Sequence, residues 1–99
     1  MKKLFKTLVF ASLLSLISCG NNVEKSRLLY DKGMDYLYSS QFEEAIEQFD
    51  QSIRLDSQNH EAYFYRGCAK YNIFQKEDAV NDYLKTIELN PEYLQAYFN

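Results

Sequence analysis

The chain has 99 residues, of which 46% are hydrophobic and 25% charged, and its formal net charge is −3. An acidic chain lacks the basic surface that neutralises phosphates, which excludes nucleic acid as an expected partner. Two cysteines and one histidine form neither a disulfide framework nor a Cys/His metal centre, and no cofactor is expected.

Residues 1–19 have the pattern of an export signal. Three lysines among the first six residues are followed by an uncharged apolar stretch, residues 8–17, and then by the small residue Ser18. This stretch is shorter than the ~20 apolar residues of a membrane-spanning helix. The pattern therefore predicts an address that is separate from the folded domain.

The end of this segment, Leu-Ile-Ser-Cys at Cys19, resembles the lipobox of bacterial lipoproteins. The resemblance implies a signal peptide over residues 1–18, a diacylglyceryl group on the Cys19 thiol and a linker over residues 19–25. A plain signal peptide and an uncleaved anchor are the alternatives. Removal of three of the eleven basic residues with the signal would leave eight against fourteen acidic residues, a more acidic mature chain.

The remainder of the sequence repeats with a period of 34 residues. Large, small and aromatic positions recur together, and the segment Ala62-Tyr63-Phe64 returns as Ala96-Tyr97-Phe98 at the start of a third copy. The matching pairs are Gly33 and Gly67, Gln41 and Gln75, Glu43 and Glu77, Ala45 and Ala79, Phe49 and Tyr83, Ile53 and Ile87, and Leu55 and Leu89.

This period and pattern resemble the tetratricopeptide repeat, a helix–turn–helix unit. The resemblance implies an all-α fold of tandem antiparallel helix hairpins in a right-handed solenoid. The predicted repeats are 26–59 and 60–93, followed by the start of a truncated third repeat, 94–99. In each hairpin, a glycine and an alanine are expected where the two helices approach closely, as at Gly33 and Ala45.

Two local features of the repeats carry further predictions. Ser40 followed by Glu43 predicts a capping box at the start of the second helix. Lys70 stands where the first repeat has Tyr36, which predicts looser packing of the second hairpin.

The first helix of each repeat is unusually aromatic, and in this family such helices line a concave surface where peptides or partner helices lie. The alternative is that these side chains pack between neighbouring helices. By resemblance, the partner-binding positions are Arg27, Tyr30, Met34, Leu37 and Tyr38 in the first repeat, and Glu61, Phe64, Cys68, Tyr71 and Asn72 in the second. This set predicts an aromatic and apolar groove for a protein or peptide.

The sequence departs from one subgroup of the family. Chaperone-binding members hold a C-terminal carboxylate with Lys and Asn on the inner helices, and here the first-repeat positions are Tyr30 and Met34. We therefore do not expect this chain to recognise a terminal carboxylate in that way.

No residues are expected to be catalytic. The acidic stripe Glu43, Glu47 and Asp50 is interpreted as a solvated outer face, and His60 as an exposed residue at a helix start. Cys68 is interpreted as a small buried side chain rather than a nucleophile.

The predicted function is a membrane-tethered protein-interaction scaffold or assembly module in the bacterial cell envelope. The expected location is the outer membrane, facing the periplasm. Because a solenoid usually needs about three repeats and a cap, we expect either truncation at Asn99 or self-association through the open end. The alternative functions are a self-associating structural lipoprotein and the docking arm of a longer enzyme or regulator.

Overall fold

The computed structural model describes the backbone of residues 2–93 and 95–98 and the side chains of residues 20–93 and 95–97. All the regular structure in this part of the chain is helical, and the predicted all-α fold of tandem hairpins is confirmed. The elements in chain order are α1 (Lys2–Tyr38), α2 (Phe42–Leu55), α3 (His60–Asn72), α4 (Lys76–Leu89) and α5 (Gln95–Phe98).

The predicted signal segment and the Cys19 thiol lie outside the residues whose side chains are described. Helix α1 runs through residues 19–25 without a break, and residues 20–25 are exposed on it. The proposed limits of signal, linker and repeats stay predictions. No helix of the described chain is long and apolar enough to cross a membrane.

Each hairpin closes where an aromatic ring lies against a glycine. A Cβ atom on Gly33 would lie 2.6 Å from Cε1 of Phe49, and one on Gly67 would lie 2.8 Å from Cε1 of Tyr83. Because real Cβ contacts are longer than this, any side chain at either position would push the helices apart. The helices do approach closely at both glycines, but the nearest atoms belong to the rings of Phe49 and Tyr83 and not to the predicted alanine side chains; of the alanines, the carbonyl oxygen of Ala79 lies 3.2 Å from the added carbon at Gly67.

The helices within each hairpin reverse through the same turn. The N–H of Gln41 donates to the carbonyl of Tyr36 at 2.9 Å and the N–H of Ser40 to that of Leu37 at 3.0 Å, which is the hydrogen-bond pattern of a Schellman motif. Ser40 adopts a left-handed backbone conformation with φ of 59°. The predicted capping box is wrong, because Ser40 ends α1 in this turn while Gln41 is the N-cap of α2 and makes no side-chain cap bond.

The core consists of two clusters of buried side chains. Each cluster combines residues of one hairpin with residues of the element that packs on that hairpin. The first contains Ala45, Phe49 and Ala69, all fully buried. The second contains Phe64, Ala79, Tyr83 and Ala96, with Tyr93 packed against it. Since Ala69 of α3 belongs to the first cluster, the second hairpin covers the first, as stacked repeats must.

Charged side chains also join the two hairpins. Both Asp82 carboxylate oxygens accept hydrogen bonds from Arg66, at 2.7 and 2.9 Å, and Arg66 reaches Asp50 at 2.9 Å. Lys70 Nζ lies 3.1 Å from Asp82. Asp50 was interpreted from sequence as part of a solvated stripe, but it pairs with Arg66 because α3 brings that guanidinium onto α2.

Candidate functional site

The predicted binding positions of the two repeats meet where α1 lies beside α3. Tyr30 Oη donates to Oε2 of Glu61 at 3.2 Å, and the rings of Tyr30 and Tyr65 are 6.4 Å apart between centroids. A cleft of about 260 Å³ opens at this junction. Its lining includes three predicted residues, Arg27, Tyr30 and Glu61, and also Val23, Ser26, Asp56 and Asn59.

Tyr30 is the central residue of this cleft. Its ring is half-buried and lies 5.9 Å from the ring of Phe49. Burial raises the pKa of the Tyr30 phenol well above its usual value, and the negative charge and hydrogen bond of Glu61 raise it further. The phenol therefore remains a neutral hydrogen-bond donor at physiological pH, and it holds the Glu61 carboxylate at the cleft.

Asp56 and Asn59 line the cleft from the connector between α2 and α3, and local hydrogen bonds order this connector. The N–H of Gln58 donates to Oδ1 of Asp56 at 3.1 Å. Asn59 is the N-cap of α3, and its side-chain oxygen accepts from the N–H of Glu61 at 3.1 Å. This cap satisfies one free N–H of the helix and sets Glu61 in the first turn of α3, next to Tyr30.

The other predicted residues of α1 are arranged in two ways. Met34 and Leu37 are partly buried against the Ala45 and Phe49 cluster, so they contribute to packing as well as to the surface. Tyr38 is 78% exposed at the opposite end of the hairpin. It lies near the turn at Ser40 and is not among the residues that line the cleft.

On α3, the prediction for Phe64 is wrong. Phe64 is only 5% exposed, and its ring packs against Tyr83 and Tyr93 at centroid distances of 5.6 and 5.1 Å. The inner-face spacing points it toward the groove, but the segment after α4 folds over it. It therefore supports the surface from below.

The remaining predicted residues of α3 extend toward the second hairpin turn. Cys68 is half-buried, and burial raises the pKa of its thiol, which disfavours the reactive thiolate. Asn72 is exposed and donates to the carbonyl of Cys68 at 2.8 Å. Tyr71 is exposed, with Nζ of Lys76 5.9 Å from its ring centroid.

Two tyrosines of the surface were missed in the sequence. Tyr65 is half-buried, its ring centroid lies 5.0 Å from that of Phe64, and it packs against both core clusters. Tyr93 lies over His60, with 5.0 Å between ring centroids. The spacing of Tyr65, four residues after Glu61, could have indicated the first. Only the tertiary fold brings Tyr93 back to α3.

His60 is the other correction. Its side chain is half-buried, packs edge-on with Tyr93 and lies 3.2 Å from the Asn90 amide nitrogen, measured from Nε2. The expected exposed position was wrong because the segment after α4 returns to the start of α3. Among the described residues, no group of His, Cys, Asp and Glu could hold a metal ion.

Comparisons with known proteins identify the repeat. Residues 33–73 match the family profile described as TPR repeat, and residues 60–93 match the one described as tetratricopeptide repeat. The chain is 33% identical over 76 residues to the Protein STIP1 homolog of Dictyostelium discoideum, and 36% identical over 66 residues to the Hsp70-Hsp90 organizing protein of Triticum aestivum. These alignments cover 77% and 67% of this chain.

The chain is much shorter than these relatives. It spans 14% of the Dictyostelium protein and 11% of the wheat protein. Among solved structures, the TPR2AB domain of yeast Sti1, in complex with pHSP90, superposes with a TM-score of 0.73 at 23% identity. That superposition covers 95% of this chain and 37% of the Sti1 chain, and at this identity it shows the fold alone.

Proposed function

Since residues 33–93 are tetratricopeptide repeats, the structural unit of protein-interaction scaffolds, we propose that this protein is a membrane-anchored bacterial lipoprotein whose hairpins bind a protein partner in the cell envelope. The observation that carries the binding role is the cleft between α1 and α3, where Arg27, Tyr30 and Glu61 meet at the surface. The relatives named above include an Hsp70-Hsp90 organizing protein, which supports a scaffolding role over a catalytic one.

The anchoring role is supported by the sequence Leu-Ile-Ser-Cys at Cys19. Helix α1 is continuous from Cys19 to the cleft. At 1.5 Å per residue, the eight residues from Cys19 to Arg27 would hold the cleft about 12 Å from the lipid. The proposal places the protein at the outer membrane, on the periplasmic side, with the cleft close to the bilayer surface.

The partner we propose differs from a chaperone tail. Relatives of this chain are named for Hsp70 and Hsp90, but the positions that hold a terminal carboxylate in chaperone-binding members are Tyr30 and Met34 here. Tyr30 donates its hydroxyl to Glu61, and Met34 packs against the core. The proposed ligand is therefore a segment of a protein chain that need not end in the groove.

Self-association is the second candidate, and one observation favours it. Val80 and Leu84 are 50% and 59% exposed on one side of α4. Their neighbour Tyr83 is only 6% exposed because α5 and Tyr93 cover it. The exposed apolar surface of α4 therefore includes Val80 and Leu84 but not Tyr83. The docking arm of a longer protein is the third candidate.

Two measurements test the proposal. The intact mass of the full chain isolated from bacterial membranes should correspond to residues 19–99 plus a lipid adduct, and the Cys19→Ser variant should lose the adduct and the membrane association. An unlipidated wild-type protein would contradict the anchor.

For the partner, a photo-crosslinking amino acid at position 27 in the full chain should give a discrete heteromeric adduct in envelope extracts. The same group at position 47, on the exposed side of α2, is the matched control. Equal labelling from both positions would contradict a binding role for the cleft. An adduct between two copies of the chain would favour self-association.

A further inference from the structure

The carboxylates of the cleft lack the cations that pair with carboxylates elsewhere in the structure. Asp82 and Asp50 pair with Arg66 and Lys70 at 2.7–3.1 Å. Within the part of the chain that the structure describes, no lysine or arginine nitrogen lies within 4.0 Å of the carboxylate of Glu61 or Asp56. These two groups are instead held by hydrogen bonds from Tyr30 and from the N–H of Gln58.

The charge of the cleft is negative. Its lining contains one cation, Arg27, and two carboxylates, Asp56 and Glu61. Arg27 is exposed, and neither carboxylate lies within ion-pair distance of it. The chain as a whole is also acidic, with a net charge of −3. Complementary charge at such a surface steers and orders partners.

One tyrosine contacts the Glu61 carboxylate, since Tyr30 Oη donates a hydrogen bond to it. Burial is the main cause of the raised pKa of Tyr30, and the negative charge of Glu61 adds to it. Burial and then Tyr65 are the larger causes of the raised pKa of Tyr93, and the charge of Glu61 contributes less. A neutral phenol ring attracts a cation to its face. Elsewhere in this protein Arg66 lies 5.5 Å from the Tyr63 ring centroid, and Lys76 lies 5.9 Å from that of Tyr71.

We propose that the cleft receives a lysine or arginine side chain from an extended segment of the partner protein. Glu61 is its ion-pair partner, Tyr30 packs against its aliphatic stem, and Asp56 adds negative charge to the same cleft. This inference rests on the proposed function, because it specifies the chemistry of the partner that the cleft binds. The proposed ligand group is positively charged, whereas a terminal carboxylate is negatively charged.

The test uses the full chain and three capped peptides that differ in one side chain: acetyl-Leu-Arg-Leu-amide, its citrulline counterpart and its glutamate counterpart. Citrulline has nearly the shape of arginine without the charge. Binding is followed through the backbone amide NMR signals of Arg27, Tyr30 and Glu61. We expect the arginine peptide to bind at least about threefold more tightly than the citrulline peptide, the size of one partly exposed ion pair.

The Glu61→Gln variant should remove most of that difference, leaving only the weaker contribution of Asp56, while it retains an acceptor for Tyr30. The Glu47→Gln variant removes the same charge from the exposed side of α2 and should retain the full difference. Equal binding of the arginine and citrulline peptides, no saturable binding of the arginine peptide at millimolar concentration, or tighter binding of the glutamate peptide would overturn the inference. The crosslinking from position 27 tests the proposed function separately, since it requires no particular charge.

Discussion

The two hairpins share one backbone plan but are closed by different polar contacts. In the first, the Ser52 hydroxyl donates to the carbonyl of Ser26 at 2.7 Å, and the Ser26 hydroxyl donates to the carbonyl of Ser52 at 2.8 Å. In the second, at the same 26-residue separation, Thr86 reaches the carbonyl of His60 at 3.4 Å, without a reciprocal bond. A repeat therefore conserves where two helices meet, while each copy satisfies its polar groups in its own way.

The compensation in the second hairpin is ionic. Lys70 replaces Tyr36 of the first hairpin, and the sequence predicted looser packing there. Instead, Lys70 is largely buried and pairs with Asp82, which also holds Arg66. The position equivalent to Asp82 in the first hairpin is the neutral Gln48. The two hairpins should thus respond differently to mutations at equivalent positions.

The largest difference is expected at that equivalent pair. Asp82→Ala leaves Arg66 and Lys70 without their buried partner and should lower the free energy of unfolding by about 3 kcal/mol. Gln48→Ala, its matched control, should cost at most about 0.5 kcal/mol. Urea unfolding followed by circular dichroism measures both. Equal effects of the two variants would mean that the Asp82 network contributes no net stability.

Replacing the contact glycine with alanine should destabilise the protein in either hairpin. Gly33→Ala and Gly67→Ala each place a carbon against a buried ring and should cost about 2 kcal/mol through overpacking. We expect the larger loss at Gly33, because the contact is shorter and Phe49 is fully buried. Gly20→Ala is the control, since nothing lies within 4 Å of its added carbon. Thermal unfolding of the three variants would refute the contact if all gave the same midpoint.

The hairpin turns provide a stabilising change. Phe74 has a φ of 68°, a left-handed backbone conformation that is unfavourable for residues with a Cβ atom. Its side chain is 86% exposed, so the ring buries little surface that could offset this cost. Phe74→Gly should raise the free energy of unfolding by about 1 kcal/mol. Ser40→Gly, with a φ of 59° in the other turn, tests whether the gain depends on the bulky ring. Destabilisation by Phe74→Gly would show that the exposed ring has a contact of its own.

The Tyr83→Phe substitution is expected to change the free energy of unfolding least at neutral pH. It replaces Tyr83 with the residue type found at the equivalent position of the first hairpin, Phe49. Burial raises the pKa of the Tyr83 phenol above its ordinary value of 10.0. Above pH 10 the phenol of the unfolded state releases its proton while the folded state keeps it. The contribution of Tyr83 to the free energy of unfolding is therefore complete below pH 10 and decreases as the pH rises above 10.

Tyr83→Phe should therefore reduce the loss of stability above pH 10, measured by urea unfolding across that range. The Tyr38→Phe variant is the control, because Tyr38 is 78% exposed. An identical alkaline profile for wild type and Tyr83→Phe would contradict the assignment.

The fold was largely predictable, because the residues at which the helices contact each other recur at the same positions in each repeat. The 34-residue match predicted close approach of the helices at Gly33 and Gly67, and only the structure shows that the rings of Phe49 and Tyr83 make the nearest contacts there. The turn at Ser40 was not predictable in detail. Serine followed by glutamate three residues later is typical of a capping box, and only the reversal of the chain required a left-handed residue at that point.

The candidate site was predictable in part. The family resemblance named Arg27, Tyr30 and Glu61 as partner-binding positions, and the structure places all three in the lining of one cleft because α1 and α3 are equivalent helices of adjacent repeats; their binding role stays a prediction. Burial of Phe64, the contact of Tyr93 with His60 and the pairing of Arg66 with Asp50 were decided by tertiary structure alone. Each depends on which segment lies over which, and helical periodicity describes one helix at a time. The sequence by itself determined the elements and their facing sides, whereas packing between elements determined which of those side chains remain available to a partner.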